Sequence, residues 1–182
     1  MKRLFLIIGI LLSGLLVIGG FSCSGTEETE EVEGPPSGWE TYQNEEHGFW
    51  FYYPEHWQKN YPAGLIVSFM SPDVNEFQES VNVVVESCGD MSLDEYIAAN
   101  KESLPQIIPG VITSSERDIE VQGRKGHEWI ARWTNQGMNM KQKQVMFVVH
   151  GKGYVLTCSA LENTYGEYSQ TFSEIIDSFV IE

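Results

Sequence analysis

The sequence predicts an α+β fold, an antiparallel β-sheet flanked by helices, and three observations carry that prediction. An aromatic run, Phe49-Trp50-Phe51-Tyr52-Tyr53, is stopped by Pro54 and followed by Trp57. Aromatic side chains favour strands and carry large apolar areas, so the run reads as a buried strand. Further along, short segments of alternating apolar residues are separated by glycine-containing turns. Finally, two segments pair a capping signature with apolar residues at helical spacing.

Taken in order, residues 39–44 predict a short opening strand, and residues 44–48 the turn into the aromatic strand. Residues 54–61 predict a helical turn with Trp57 packed inward. Over residues 64–70 the side chains alternate, Leu65, Val67 and Phe69 against Ile66, Ser68 and Met70. A polar loop follows from Ser71 to Ser80. Val81, Val83 and Val85 then share one face of a strand, with Asn82, Val84 and Glu86 opposite.

Ser92-Leu93-Asp94-Glu95 is a capping box, flanked by Met91 and Tyr96 at the spacing of a hydrophobic staple. Leu93, Tyr96, Ile97 and Leu104 line one helical face, and Pro105 and Pro109 end the helix. Residues 111–132 predict a long hairpin turning through residues 122–126, with Trp129, Ala131 and Trp133 on one face of its second strand. Residues 135–137 turn the chain again, and residues 141–150 return as a strand with Val145, Phe147 and Val149 on one side. Residues 151–153 close a second hairpin into residues 154–160. A second capping box is predicted at Thr164-Tyr165-Gly166-Glu167, opening a stripe of Tyr165, Tyr168, Phe172, Ile175, Ile176 and Phe179.

The N-terminus has a different character. Met1-Lys2-Arg3 precedes an apolar stretch over residues 4–18, the pattern of a secretory signal at residues 1–22. The small Ser22 directly before Cys23 makes Cys23 the candidate lipid-attachment residue, although Gly20 and Phe21 depart from the usual cleavage box. The competing outcome is an uncleaved anchor, for which the apolar stretch is short. Residues 23–38 are acidic and rich in glycine and proline, and predict an extended linker. The folded domain is expected over residues 39–182.

The chain has 182 residues and a net charge of −15. That surface repels phosphate, which excludes nucleic acid as a natural partner. Its sign fits an extracytoplasmic domain, held at the cell membrane by lipid or secreted. The expected partners are the membrane, through the anchor, and an envelope protein.

A family resemblance rests on several motifs in this order. The aromatic strand ends in Tyr53-Pro54-x-x-Trp57, and Phe69-x-Ser71-Pro72 and a valine strand follow. Next come Ser92-Leu93-Asp94-Glu95-Tyr96, Gly123-x-x-Gly126 and Gly153-Tyr154-Val155-Leu156-Thr157. The last is Ile175-Ile176-Asp177-Ser178-Phe179-x-Ile181. Over residues 39–181 the chain resembles the PsbP-like family, named for an extrinsic subunit of the photosystem II oxygen-evolving complex. The resemblance implies an α/β/α sandwich around an antiparallel sheet. It also implies docking on a membrane complex, where photosynthetic members help retain calcium, chloride and manganese. No ion-site motif carries over. Members in non-photosynthetic microbes, secreted or lipid-anchored and of unknown role, are the better match.

Chemistry is faint in the sequence. His47, His56, His127 and His150 lack the spacing of a helical zinc site, and no cysteine pair supplies thiolates. His47 and His56 flank the aromatic strand and could meet in space. Asp73, Glu76 and Glu79, with Asn75, share a loop that offers oxygen ligands to a hard cation, and a solvated loop is the plainer reading. No G-x-S-x-G nucleophile turn is present. Of the aromatic strand, Phe49, Phe51 and Tyr53 face away from Trp50 and Tyr52; both sets are expected in the core, with an exposed platform as the alternative. Cys88 and Cys158 can form a disulfide in an exported protein or remain buried free thiols, and both outcomes stay open. The expected function is a tethered, non-catalytic binding or assembly module without cofactor. The alternative is a small envelope enzyme or a ligand- or calcium-binding protein.

Overall fold

The computed structural model describes residues 34–72 and 77–182. The leader, Cys23 and most of the linker lie outside the described residues, as do Asp73, Asn75 and Glu76 of the polar loop. Ten strands and two helices follow one another among those described: β1 (Trp39–Asn44), β2 (Phe49–Pro54), β3 (Gln58–Asn60), β4 (Val67–Met70), β5 (Ser80–Ser87), α1 (Leu93–Ile107), β6 (Ile112–Val121), β7 (Arg124–Asn135), β8 (Met138–Val149), β9 (Lys152–Leu161), α2 (Tyr165–Asp177) and β10 (Val180–Ile181). The α+β expectation holds, but the strands divide between two sheets. One is ordered β1-β2-β10, the other β3-β4-β5-β9-β8-β7-β6, and every described pairing is antiparallel.

The large sheet is the middle layer. On one side it packs under the small sheet and α2, where Phe49, Phe51, Phe69, Phe172 and Phe179 are buried with Val81, Val83 and Val145. Ring centroids of Phe51 and Phe69 lie 5.5 Å apart edge-on, and Phe147 stacks on Phe179 at 5.9 Å. On the other side α1 covers Trp129, Met146 and Val155 with Tyr96 and Ile97.

Several local expectations are corrected by tertiary contacts. The predicted helical turn over residues 54–61 contains β3, which pairs with β4 in the register Lys59↔Phe69. Pro105 stands inside α1, which continues to Ile107 before Ile108 caps it. Proline so late in a helix removes one backbone bond and leaves the preceding turns intact. The Ser92–Glu95 capping box forms as expected, with Ser92 N–H donating to Glu95 Oε2 at 2.8 Å. The second box does not form: the Thr164 hydroxyl donates to Glu79 Oε1 at 2.7 Å instead. Residues 36–38, expected in the linker, already bond to the domain, since the Gly38 carbonyl accepts from Glu55 N–H at 3.0 Å.

The three long hairpins turn on two residues each, Gln122-Gly123, Gln136-Gly137 and His150-Gly151, all at positive φ. Such turns match the twist of the flanking strands. Gly126 and Gly153, expected in turns, therefore fall inside strands. A Cβ on Gly126 would stand 2.5 Å from the Phe147 ring, and one on Gly153 would stand 2.6 Å from the Tyr96 hydroxyl. Each glycine makes room for a ring, on opposite faces of the sheet.

Candidate functional site

The antiparallel register of β6 and β7 sets Asp118 opposite His127 and Glu116 opposite Trp129. Directly opposed residues share a face, and this face is the one α1 covers. Because β6 is the last strand of its sheet, α1 leaves a groove along it of about 450 Å³. Asp94, Ile97, Ala98 and Lys101 of α1 form one wall, with Glu116, Asp118 and His127 on the other. A second hollow of about 360 Å³ adjoins it, sharing Lys101 and Glu116 and reaching Leu104, Pro105 and Val111.

His127 is the centre of the groove. Its side chain is 10% exposed, while the Asp118 side chain beside it is 91% exposed. The Nδ1–Oδ1 distance is 2.9 Å. An ionised carboxylate only accepts, so Nδ1 carries a proton toward Asp118. Nε2, on the other side of the ring, lies 3.5 Å from Glu116 Oε2, so a carboxylate stands beside each ring nitrogen. The Glu116 carboxylate is ion-paired with Lys101, whose hydrogen bond holds its pKa below the usual value. An imidazole oriented by a carboxylate is half of a nucleophile-activating device. Nε2 nevertheless meets no hydroxyl or thiol, and the Ser114 hydroxyl donates to the Ile130 carbonyl at 3.2 Å.

On the opposite face Glu128, paired beside Asp118's neighbour Arg117, does structural work. Burial alone would raise its pKa, but Arg117 at 2.9 Å and Lys143 at 3.5 Å outweigh burial and hold it below the usual range.

The other candidates scatter. His47 and His56 sit at opposite ends of β2 and do not meet; His56 and His150 are exposed. Glu79, expected in a solvated or cation-binding loop, is buried and accepts hydrogen bonds from Ser71 and Thr164. Among the described residues no group of three or more His, Cys, Asp or Glu side chains is placed to hold a metal ion. Cys88 and Cys158 are both free. Cys158 stands opposite Val81 at the start of β5 and Cys88 lies past its end, so antiparallel pairing holds them apart. Burial pushes the Cys158 thiol up to about 12. Of the aromatic strand, Phe49, Phe51 and Tyr53 are buried, but Trp50 and Tyr52 are only half-buried and contact each other at 5.3 Å. The expectation that both sets are core therefore fails for the second.

In the sequence His127 is one of four histidines without ligand spacing, and its partners are not visible there. It lies two residues before Trp129 and so on the same face, a signal hidden by extending the turn through Gly126.

No helix among the described residues is long and apolar enough to cross a membrane. No curated protein sequence matches the chain. Its fold is similar to that of cyanobacterial PsbP from Synechocystis sp. PCC 6803, at a TM-score of 0.61 and 15% identity, covering 88% of this chain and 98% of that one. It is also similar to PA94 of Pseudomonas aeruginosa, a protein of unknown function described as a candidate regulator, with TM-score 0.59, 17% identity and coverage of 79% and 97%. LpqN of Mycobacterium tuberculosis, described as involved in cell envelope biogenesis, aligns at TM-score 0.57 and 14% identity, covering 73% and 82%. At such identities these likenesses speak to the fold alone. The sequence pattern of the PsbP family matches residues 37–181, and the chain belongs to that family.

Proposed function

We propose that this protein is an extracytoplasmic module of the cell envelope, tethered through lipidated Cys23, that binds a partner protein and does not catalyse a reaction. The observation that carries the reading is the corner where α1 passes into β6. Ile107 and Ile112 are 73% and 67% exposed there, beside a hollow lined by Leu104 and Val111. Exposed apolar side chains gathered beside a groove are what a docking surface offers. The acidic linker provides reach from the membrane, and the envelope role described for LpqN supports the location. Much of the buried acidic chemistry is occupied by packing, as Glu79 and Glu128 illustrate.

A second reading, capture of a small ligand or cation, is favoured by the buried His127 and the exposed Asp118 carboxylate beside it in the groove. In-cell cross-linking separates the two. The full chain should capture one or a few envelope proteins, and the double variant Ile107→Glu, Ile112→Glu should lose them while melting normally. Unchanged capture by that variant would sink the docking surface. Mass spectrometry of the membrane fraction should find a mature chain beginning at lipidated Cys23; an intact leader would sink the tether.

A further inference from the structure

We infer that the outer edge of β6 is where the partner docks, by laying an extended segment of its own along residues 116–120 as a further antiparallel strand. The inference rests on the docking reading above and names its mode. β6 ends the seven-stranded sheet, runs for ten residues, and has no described strand beyond it. The strand at the sheet's other end, β3, is three residues long. A short edge offers little backbone to pair with, whereas a long one is a template for another chain. The hairpin turn fixes which groups are free. Across the two-residue turn Gln122-Gly123, Val121 and Arg124 form a hydrogen-bonded pair. Antiparallel alternation then directs the backbone of Ile119 and Arg117 toward β7, and that of Glu116, Asp118 and Glu120 outward. Residues 112–118 and Glu120 are exposed, and the register shift between Thr113 and Ser115 ends the regular edge.

The side chains select the occupant. Glu116, Asp118 and Glu120 share one face, and a second β6 paired antiparallel would set that row against itself. Like charges directly opposite are destabilising, so the edge disfavours a second copy of this chain. A partner strand with lysine or arginine opposite Asp118 and Glu120, an apolar residue opposite Ile119 and an acidic one opposite Arg117 satisfies both faces. Main-chain bonds supply the affinity of such strand addition, and the alternate side chains its specificity. Beyond the bulge the same segment runs toward the exposed Ile112, which joins the edge to the apolar corner with Ile107.

The test adds the acetylated, amidated peptide Thr-Lys-Val-Lys-Glu-Lys-Val-Thr to the full chain in a non-ionic detergent and follows amide hydrogen exchange by NMR. Exchange at Glu116, Asp118 and Glu120 should slow at least about tenfold at saturation. N-methylating the central lysine, which faces Asp118, removes a bonding N–H and keeps the charge, and should abolish the protection. N-methylating the neighbouring valine removes an N–H that points away from β6, and should leave binding intact. Asp118→Pro should abolish binding, since an edge strand tolerates proline where the N–H faces solvent, while Asp118→Asn should weaken it only severalfold. No protection, or equal loss with both methylated peptides, would overturn the added strand. So would protection that needs no peptide and rises with protein concentration, which would assign the edge to a second copy. If the peptide fails while the Ile107→Glu, Ile112→Glu variant still loses its partner, the docking reading stands and this inference falls. Protection by the peptide alongside unchanged capture by that variant would make the edge, and not the corner, the docking element.

Discussion

On one face of the large sheet, the rings of Phe51, Phe69, Phe147, Phe172 and Phe179 meet beneath a second sheet and a helix. On the other, a single helix rests on Trp129, Met146 and Val155 through Tyr96 and Ile97. Free energy from apolar burial grows with the area covered, so the first face holds the fold and the second holds one element onto it. The rim of the thin face is polar, with Tyr96 donating to Glu86 at 2.6 Å and Lys101 paired with Glu116. Burial, reinforced by Glu86, pushes the Tyr96 phenol above its usual range. An element with little buried area and polar edges opens locally at lower cost than the global fold. The groove and the buried His127 both lie on that thinner side.

The sharpest way to break this comparison is truncation on each face. Phe51→Ala should cost about 3–5 kcal/mol in global stability, and Ile97→Ala, at the edge of the smaller cluster, about 2 kcal/mol. Urea unfolding gives both numbers, and native-state hydrogen exchange should show Ile97→Ala loosening α1 before the rest. Equal costs, or uniform loosening, would mean that α1 belongs to the main cooperative unit.

A smaller effect comes from the paired glycines. Gly126→Ala and Gly153→Ala each force a methyl against a ring, which costs about 1–3 kcal/mol. The first should cost more, because Phe147 is held by Phe179 whereas Tyr96 can shift with α1. The reverse order in a melting comparison would show the α1 side to be the stiffer.

The smallest expected change is at Glu128. Its lowered pKa contributes stability that is complete above the ordinary glutamate value near ~4.3 and is lost as pH falls through the folded-state value. Glu128→Gln should therefore destabilise by about 1 kcal/mol at neutral pH, since Arg117 is largely open to solvent, and should flatten the acid limb. An acid limb as steep as that of the parent would place the titrating group elsewhere, the groove carboxylates being next in line.

Periodicity made much of the fold legible. The burial alternation of β2 and β5, the Ser92 cap and the stripe of α2 were all visible in neighbouring residues. The site was less visible, because Glu116, Asp118 and His127 read as scattered polar residues until β6 and β7 are paired. Polar β3 gave no apolar alternation to mark it as a strand, and its pairing with β4 supplies what its own side chains do not.

By itself the sequence determined where both helices and most of the strands lie, since caps, turns and apolar spacing act between residues a few positions apart. Only the tertiary structure decided that the strands form two sheets, that Cys88 and Cys158 stay apart, and that Thr164 bonds to Glu79 rather than to its own helix. The same holds for the buried imidazole beside Asp118. The reason is physical: a side chain's long-range partner depends on which surfaces pack together, and that choice is made by the whole core at once.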